Sequence, residues 1–216
     1  MREPMSRRHF LTTTGTLILV GQAASAVGPS LSWGAAVAKV GEPAPDFTTT
    51  STKGMPVSLG AYKGKVVVLE WTNHECPYVR KHYETGNMQA LQREATGQGV
   101  IWLTLISSAK GEQGFVSAAQ ADELTATRKA APTAVLLDEN GTVGHLYGAT
   151  NTPHMYVVDK TGMLVYAGAI DDRPTTRRSD VQGANNYVRA ALDSVAAGQP
   201  VKTPVTRAYG CTVKYS

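Results

Sequence analysis

The run Val66-Val67-Val68-Leu69-Glu70-Trp71-Thr72-Asn73-His74-Glu75-Cys76-Pro77-Tyr78-Val79 constrains the fold of this chain more than any other stretch. Val66–Leu69 is short, apolar and β-branched, the pattern of a strand covered on both faces. Asn73 and His74 suit the turn that follows. Pro77 suits the first position of a helix, where the N–H that proline lacks would have no partner anyway. A buried strand therefore hands over to a helix with Cys76 at its cap. The partial positive charge of the helix end and its free N–H groups favour a thiolate there over a thiol. A buried, inert cysteine is the plain alternative, and the polar neighbours Asn73, His74 and Glu75 argue against it.

The address comes from the other end of the sequence. Ser6-Arg7-Arg8-His9-Phe10-Leu11 resembles a twin-arginine export signal. Leu17–Gly21 behind it is apolar but too short and interrupted to span a bilayer, although an uncleaved anchor is the competing reading. Two small-residue cleavage patterns follow, Ala24-Ser25-Ala26 and Ala36-Val37-Ala38. Lys39 onward already reads as domain, which favours the second and assigns 1–38 to targeting. The body is then expected outside the cytoplasm, in a bacterium the periplasm, with the twin-arginine export machinery as a partner. The net charge of +4 carries little information. Arg2, Arg7 and Arg8 against Glu3 contribute half of it, and the body has no basic-aromatic stripe, so nucleic acid is not an expected partner.

The predicted mature chain contains two cysteines, Cys76 and Cys211. An oxidising compartment permits a bond between them. Such a bond would close nearly the whole domain and, by loop entropy, stabilise it by roughly 5 kcal/mol. A permanent staple therefore competes with a redox pair.

Along the chain, Val40–Phe47 is extended because Pro43 and Pro45 disfavour helix before them. Thr48–Thr52 and Val57–Leu59 form a small hairpin around Lys53-Gly54. The helix after Cys76 breaks at Thr85-Gly86, and Asn87 is expected to cap its second part. Val100–Ile106 is an apolar strand. Ser117-Ala118-Ala119-Gln120 has the form of a capping box that opens a helix to about Lys129. Ala134–Leu137 is a third strand. Met155–Val158 and Leu164–Ala169 form a hairpin, and a closing helix places Val188, Ala191, Leu192 and Val195 on one face. The order predicts one three-layer α/β domain over 39–200, a mixed sheet flanked by helices, with a tail over 201–216 that carries Cys211.

Several of these segments together resemble the thioredoxin-like superfamily, in its exported, peroxiredoxin-like redoxin branch. They are Gly41–Phe47, the element ending Cys76-Pro77-Tyr78-Val79, Thr152-Pro153 before the hairpin, and Tyr166–Asp172. The resemblance implies a cis Thr152-Pro153 bond in a loop facing Cys76, with backbone groups offered to an extended thiol or peptide. Thr152, Pro153, Trp71 and Asn73 are then the expected substrate contacts. The departures are as informative. Val79 stands where a dithiol oxidoreductase has its second cysteine. Leu69 and Asn73 stand where a peroxiredoxin has proline and threonine or serine. Its usual arginine is also missing near Thr152-Pro153-His154.

Three chemistries remain open. In the first, Cys76 is the nucleophile towards a peroxide or a protein or small-molecule disulfide. Cys211 or an external thiol then resolves the product, and an unknown thiol reductant restores the pair. His74 would stabilise the thiolate or shuttle its proton. Glu75 opposes a thiolate unless it points away, and Arg80 and Lys81 would offset it. In the second, the least favoured in a chain expected to need no cofactor, His74, Cys76, His82 and Met88 handle copper. In the third, the fold is a non-catalytic binding module with a structural Cys76–Cys211 bridge. His154 is of interest by position alone, beside the proline loop.

Overall fold

The computed structural model describes residues 37–216. The predicted export signal lies outside the described residues except for Val37 and Ala38, and the Ala38 amide donates to the Leu146 carbonyl at 2.9 Å. In chain order the elements are β1 (Thr48–Ser51), β2 (Pro56–Ser58), β3 (Val67–Trp71), α1 (Pro77–Glu84), α2 (Asn87–Gly97), β4 (Ile101–Ile106), α3 (Ala118–Thr127), β5 (Ala134–Leu137), α4 (Thr142–Tyr147), β6 (Asn151–Thr152), β7 (His154–Val158), β8 (Leu164–Gly168), α5 (Tyr187–Ala196) and β9 (Cys211–Thr212). No helix among the described residues is long and apolar enough to cross a membrane.

Seven strands form one mixed sheet in the order β2-β1-β5-β4-β3-β7-β8. Its centre is the parallel set β3, β4 and β5, and β7 runs antiparallel to β3. β3 is buried at every position, as its unbroken apolar run requires for a central strand with both faces covered. Alternation along it divides the core in two. Val66 and Val68 meet Val79, Tyr83, Met88, Leu91, Val188 and Ala191 from α1, α2 and α5. Val67, Leu69 and Trp71 meet Phe47, Val143, Tyr147 and Tyr156 on the opposite face. α3 covers Ile106 and Val135. The result is the three-layer α/β arrangement expected from the order of elements.

Two local details differ from the sequence reading. The residue that caps α2 is Gly86 at φ +75°, a conformation glycine adopts without cost. Asn87 is the first helical residue, and its side chain turns back to His82 Nδ1 at 2.8 Å. The short helix α4 was not expected, because its six residues lack a recognisable periodicity. Asp138 supplies its missing partners by accepting from the amides of Val143 at 3.0 Å and Gly144 at 2.9 Å. The capping box at Ser117 is present, with Ser117 and Gln120 each accepting from the other's backbone amide.

The segment after Gly198 is sewn into the domain. Its Val205 bridges Ala167, and the Thr206 hydroxyl accepts from the Ala169 amide at 2.8 Å. β9 pairs antiparallel with β6, bringing Thr152 opposite Cys211. Val213 is buried, its amide donating to the Thr150 carbonyl, and Tyr215 stacks on His145 with ring centroids 4.1 Å apart.

Candidate active site

Cys76 occupies the cap position of α1, with extended backbone at φ −67° and ψ 121° and Pro77 as the first helical residue. Asn73 builds the turn that leads there. Its carbonyl accepts from the Cys76 amide at 3.1 Å and its side-chain oxygen accepts from the Glu75 amide at 2.9 Å. Gly114, at φ +88°, lets a neighbouring loop close over this turn, since a Cβ there would run into the Asn73 side chain. Cys76 itself is completely buried.

Two segments far away in sequence converge on its sulfur. The Thr152 carbonyl accepts from the Cys76 thiol at 3.1 Å, and the Thr152-Pro153 peptide bond is cis. From the tail, the Cys211 amide donates to Cys76 Sγ at 3.4 Å. The approach depends on Gly210, at φ +117°, where a Cβ would collide with the Thr152 carbonyl oxygen. Both cysteines are free thiols in this state. Burial pushes the Cys211 thiol up to about 12, and the hydrogen bond and negative charge of Cys76 act in the same direction. Cys211 is therefore held as a thiol at neutral pH.

The remaining predicted site residues are placed as follows. His74 is half-buried, and burial pushes its imidazole below the ordinary value of 6.5 despite Glu75. It is neutral at pH 7 and carries no positive charge towards Cys76. Glu75 points away, accepting from the Gly114 amide at 2.7 Å. Arg80 pairs with Glu84 at 2.9 Å. Trp71 faces the opposite core, where its indole N–H donates to Ser107 Oγ at 3.0 Å and its ring meets Tyr147 and Tyr156. His154 is carried to that same side by alternation along β7 and stacks on Tyr156. Thr152, Pro153, Cys76 and Cys211 are thus brought together, Asn73 shapes the turn, and Trp71 and His154 lie elsewhere.

The set considered for copper is dispersed. His82 uses Nδ1 on Asn87 and Nε2 on the Tyr209 hydroxyl at 3.2 Å, and Met88 is buried in the core. Among the described residues no three His, Cys, Asp or Glu side chains gather as a metal site.

Two buried polar clusters escaped the sequence reading. Glu70, fully buried on β3, accepts from Tyr83 at 2.7 Å, Trp102 at 2.8 Å, Gln92 at 3.0 Å and Thr104 at 3.2 Å. Burial raises its carboxyl above the ordinary 4.5, against the pull of those donors. The signal available in sequence was a lone acid inside an apolar strand, which must find partners if it is buried. The second cluster joins Lys81 and His82 of α1 to Asp171 and Tyr209.

A model of the AhpC/TSA family matches residues 40–167. That is more than half of the chain. The protein belongs to the AhpC/TSA family, within the redoxin branch of the thioredoxin-like superfamily, and its class is that of thiol-based redox proteins. The chain is also similar to the thioredoxin-like protein YneN of Bacillus subtilis, 26% identical over 144 residues, covering 65% of this chain and 79% of that one. Among solved structures, an uncharacterized conserved protein from Geobacillus kaustophilus superposes with a TM-score of 0.72 at 25% identity, covering 82% of this chain and 93% of that one. A hypothetical protein from Sinorhizobium meliloti 1021 shares the fold with a TM-score of 0.71 at 23% identity, over 82% and 95% of the two chains. The matched region stops well short of Cys211, so the family model covers the Cys76 half of the site and not the tail.

Proposed function

We propose that this protein is an exported, periplasmic thiol oxidoreductase in which Cys76 is the nucleophile and Cys211 the resolving thiol. The observation that supports the pairing is the contact of the Cys211 amide with Cys76 Sγ, made across the Thr152–Cys211 register of β6 and β9. It converts a separation of 135 positions into an intramolecular encounter. The export signal supports the location.

With a disulfide as oxidant, the Cys76 thiolate attacks one sulfur and releases the other as a thiolate, leaving a mixed disulfide. With a hydroperoxide, it takes the terminal oxygen, leaving a sulfenic acid and an alcohol. Either event removes the negative charge of Cys76, which adds to burial in raising the Cys211 thiol, and so makes the Cys211 proton easier to lose. Cys211 then gives up its proton and attacks Cys76 Sγ, expelling the remaining thiolate or water and closing a Cys76–Cys211 disulfide. An external dithiol reopens it, taking the two electrons' worth of oxidation away as its own disulfide.

Steady-state turnover with a dithiol reductant tests this reading. Catalysed consumption of either hydroperoxide or a disulfide that is lost in Cys76→Ser supports it and identifies the oxidant. No turnover with either class contradicts it. The complete burial of Cys76 favours a second reading, in which the two cysteines form a permanent bridge and the domain is a binding module. A bond that survives excess dithiothreitol in the folded protein would select that second reading.

A further inference from the structure

The buried cluster that follows Cys76 along α1 serves no purpose in the chemistry described so far. Lys81 and His82 are shielded from solvent, as is Asp171 in the loop after β8. Lys81 Nζ donates to the Arg173 carbonyl at 2.7 Å, and the ammonium lies 3.9 Å from Asp171 Oδ2. His82 Nε2 is also 3.9 Å from that oxygen, which has no hydrogen-bond partner among the described residues. Buried ion pairs are poor sources of stability, because desolvation cancels most of their attraction. Their best-attested use is to fix one arrangement of chain segments over others.

The segment fixed here is the tail. The Tyr209 hydroxyl enters the cluster from outside, donates to Asp171 Oδ1, and lies 3.2 Å from His82 Nε2 and 3.4 Å from Lys81 Nζ. Its ring packs against Tyr78, with the Lys81 ammonium 5.2 Å from the ring centroid. Gly210 follows, with the close approach to Thr152, and then Cys211. Two residues of chain reach at most about 7 Å. The anchor and the resolving thiol therefore move as one piece. The helix that presents Cys76 at its first turn thus holds the tail at its second.

We infer that Tyr209 is a positioning residue for the resolving step: its hydroxyl, held by Asp171, His82 and Lys81, fixes Cys211 over Cys76. This rests on the proposed resolving role of Cys211. The anchor leaves the first attack by Cys76 unaffected and accelerates only the closure of the disulfide, where a misplaced thiol is costly.

Tyr209→Phe keeps the ring and deletes the bridging hydroxyl. Tyr215→Phe deletes a different tail hydroxyl, which donates to the Ala149 carbonyl at 2.6 Å on the far side of Cys211. Both are compared with wild type by stopped flow using the aromatic disulfide 5,5′-dithiobis(2-nitrobenzoate). Attack by Cys76 releases one coloured thiolate, and attack by Cys211 on Cys76 Sγ releases the second. Mass spectrometry of the product distinguishes an internal disulfide from two separate adducts. The expected result is that Tyr209→Phe slows the second phase by about tenfold or more with the first phase within about twofold, and that Tyr215→Phe leaves both phases within about twofold. Equal second phases in wild type and Tyr209→Phe overturn the inference. So does equal slowing in Tyr215→Phe, which would mean that any loosening of the tail suffices. If wild type itself retains the aromatic adduct and never closes, the resolving role of Cys211 fails instead.

Discussion

Cys76 and Cys211 meet at one point but are delivered there by opposite means. Cys76 is placed by local rules, within about ten residues: an apolar strand, an asparagine turn and a proline at the helix start. Cys211 is placed by partners far away in sequence, namely Thr152, Asp171 and Ala169. One position depends on short-range geometry and survives changes elsewhere. The other depends on a web of long-range contacts and can be lost from many directions. A nucleophile built locally and a resolver held from a distance give a site whose two chemical steps are separable by mutation.

The largest expected effect tests the local half. Cys76→Ser should abolish reaction with oxidants at neutral pH, by about 1,000-fold or more in initial rate, because burial, the largest cause of its raised value, still holds Cys211 as a thiol and no other cysteine exists. Next, Cys211→Ser should leave the first attack within about threefold while removing internal closure entirely, so that the adduct or sulfenic acid at Cys76 persists and can be trapped. A first attack slowed well beyond threefold in Cys211→Ser, or an adduct at Cys76 lost as fast as in wild type, would break the assignment of the two roles.

Stability separates the same two regions. Glu70→Ala leaves four buried donors around β3 without an acceptor and should lower unfolding free energy by about 3 kcal/mol in denaturant titration. With the carboxyl in place, the folded state binds its proton more tightly than the unfolded chain. Its contribution is therefore complete below the ordinary 4.5 and declines as pH rises through the raised folded-state value. Glu70→Gln should flatten that decline.

The buried histidines have the opposite sign. Burial lowers His154 to about 4, so its contribution is present above 6.5 and is lost as pH falls towards 4, by up to about 3 kcal/mol. His154→Phe should remove that part of the acid sensitivity while keeping the ring stack on Tyr156. The smallest effect belongs to Trp71→Phe. Its ring faces the core opposite Cys76, so both phases of thiol chemistry should stay within about twofold, although the Ser107 hydrogen bond is lost.

The same contrast explains what was legible in the sequence. The strand, the turn and the capped helix around Cys76 follow from periodicity and residue preference within one window, as does the capping box at Ser117. Alternation along β3 and β7 was equally available, and applied strictly it separates Trp71 and His154 from the Cys76 side. The tail was not legible. β9 is two residues long, and nothing in Tyr209-Gly210-Cys211 announces a partner at Thr152 or Asp171. Such contacts depend on the assembled sheet, because the antiparallel pairing of β7 with β8 is what carries Thr152 and Asp171, far apart in sequence, to the same end of it.

The account depends on whether these two thiols form one reversible couple. Equilibrating the purified protein across a series of reduced and oxidised dithiothreitol ratios, followed by acid quench and mass analysis, measures this directly. The prediction is a single two-electron transition between two free thiols and an internal Cys76–Cys211 disulfide, reversible from both directions. Absence of the internal bond at every ratio, or a bond that no ratio reopens, would contradict it.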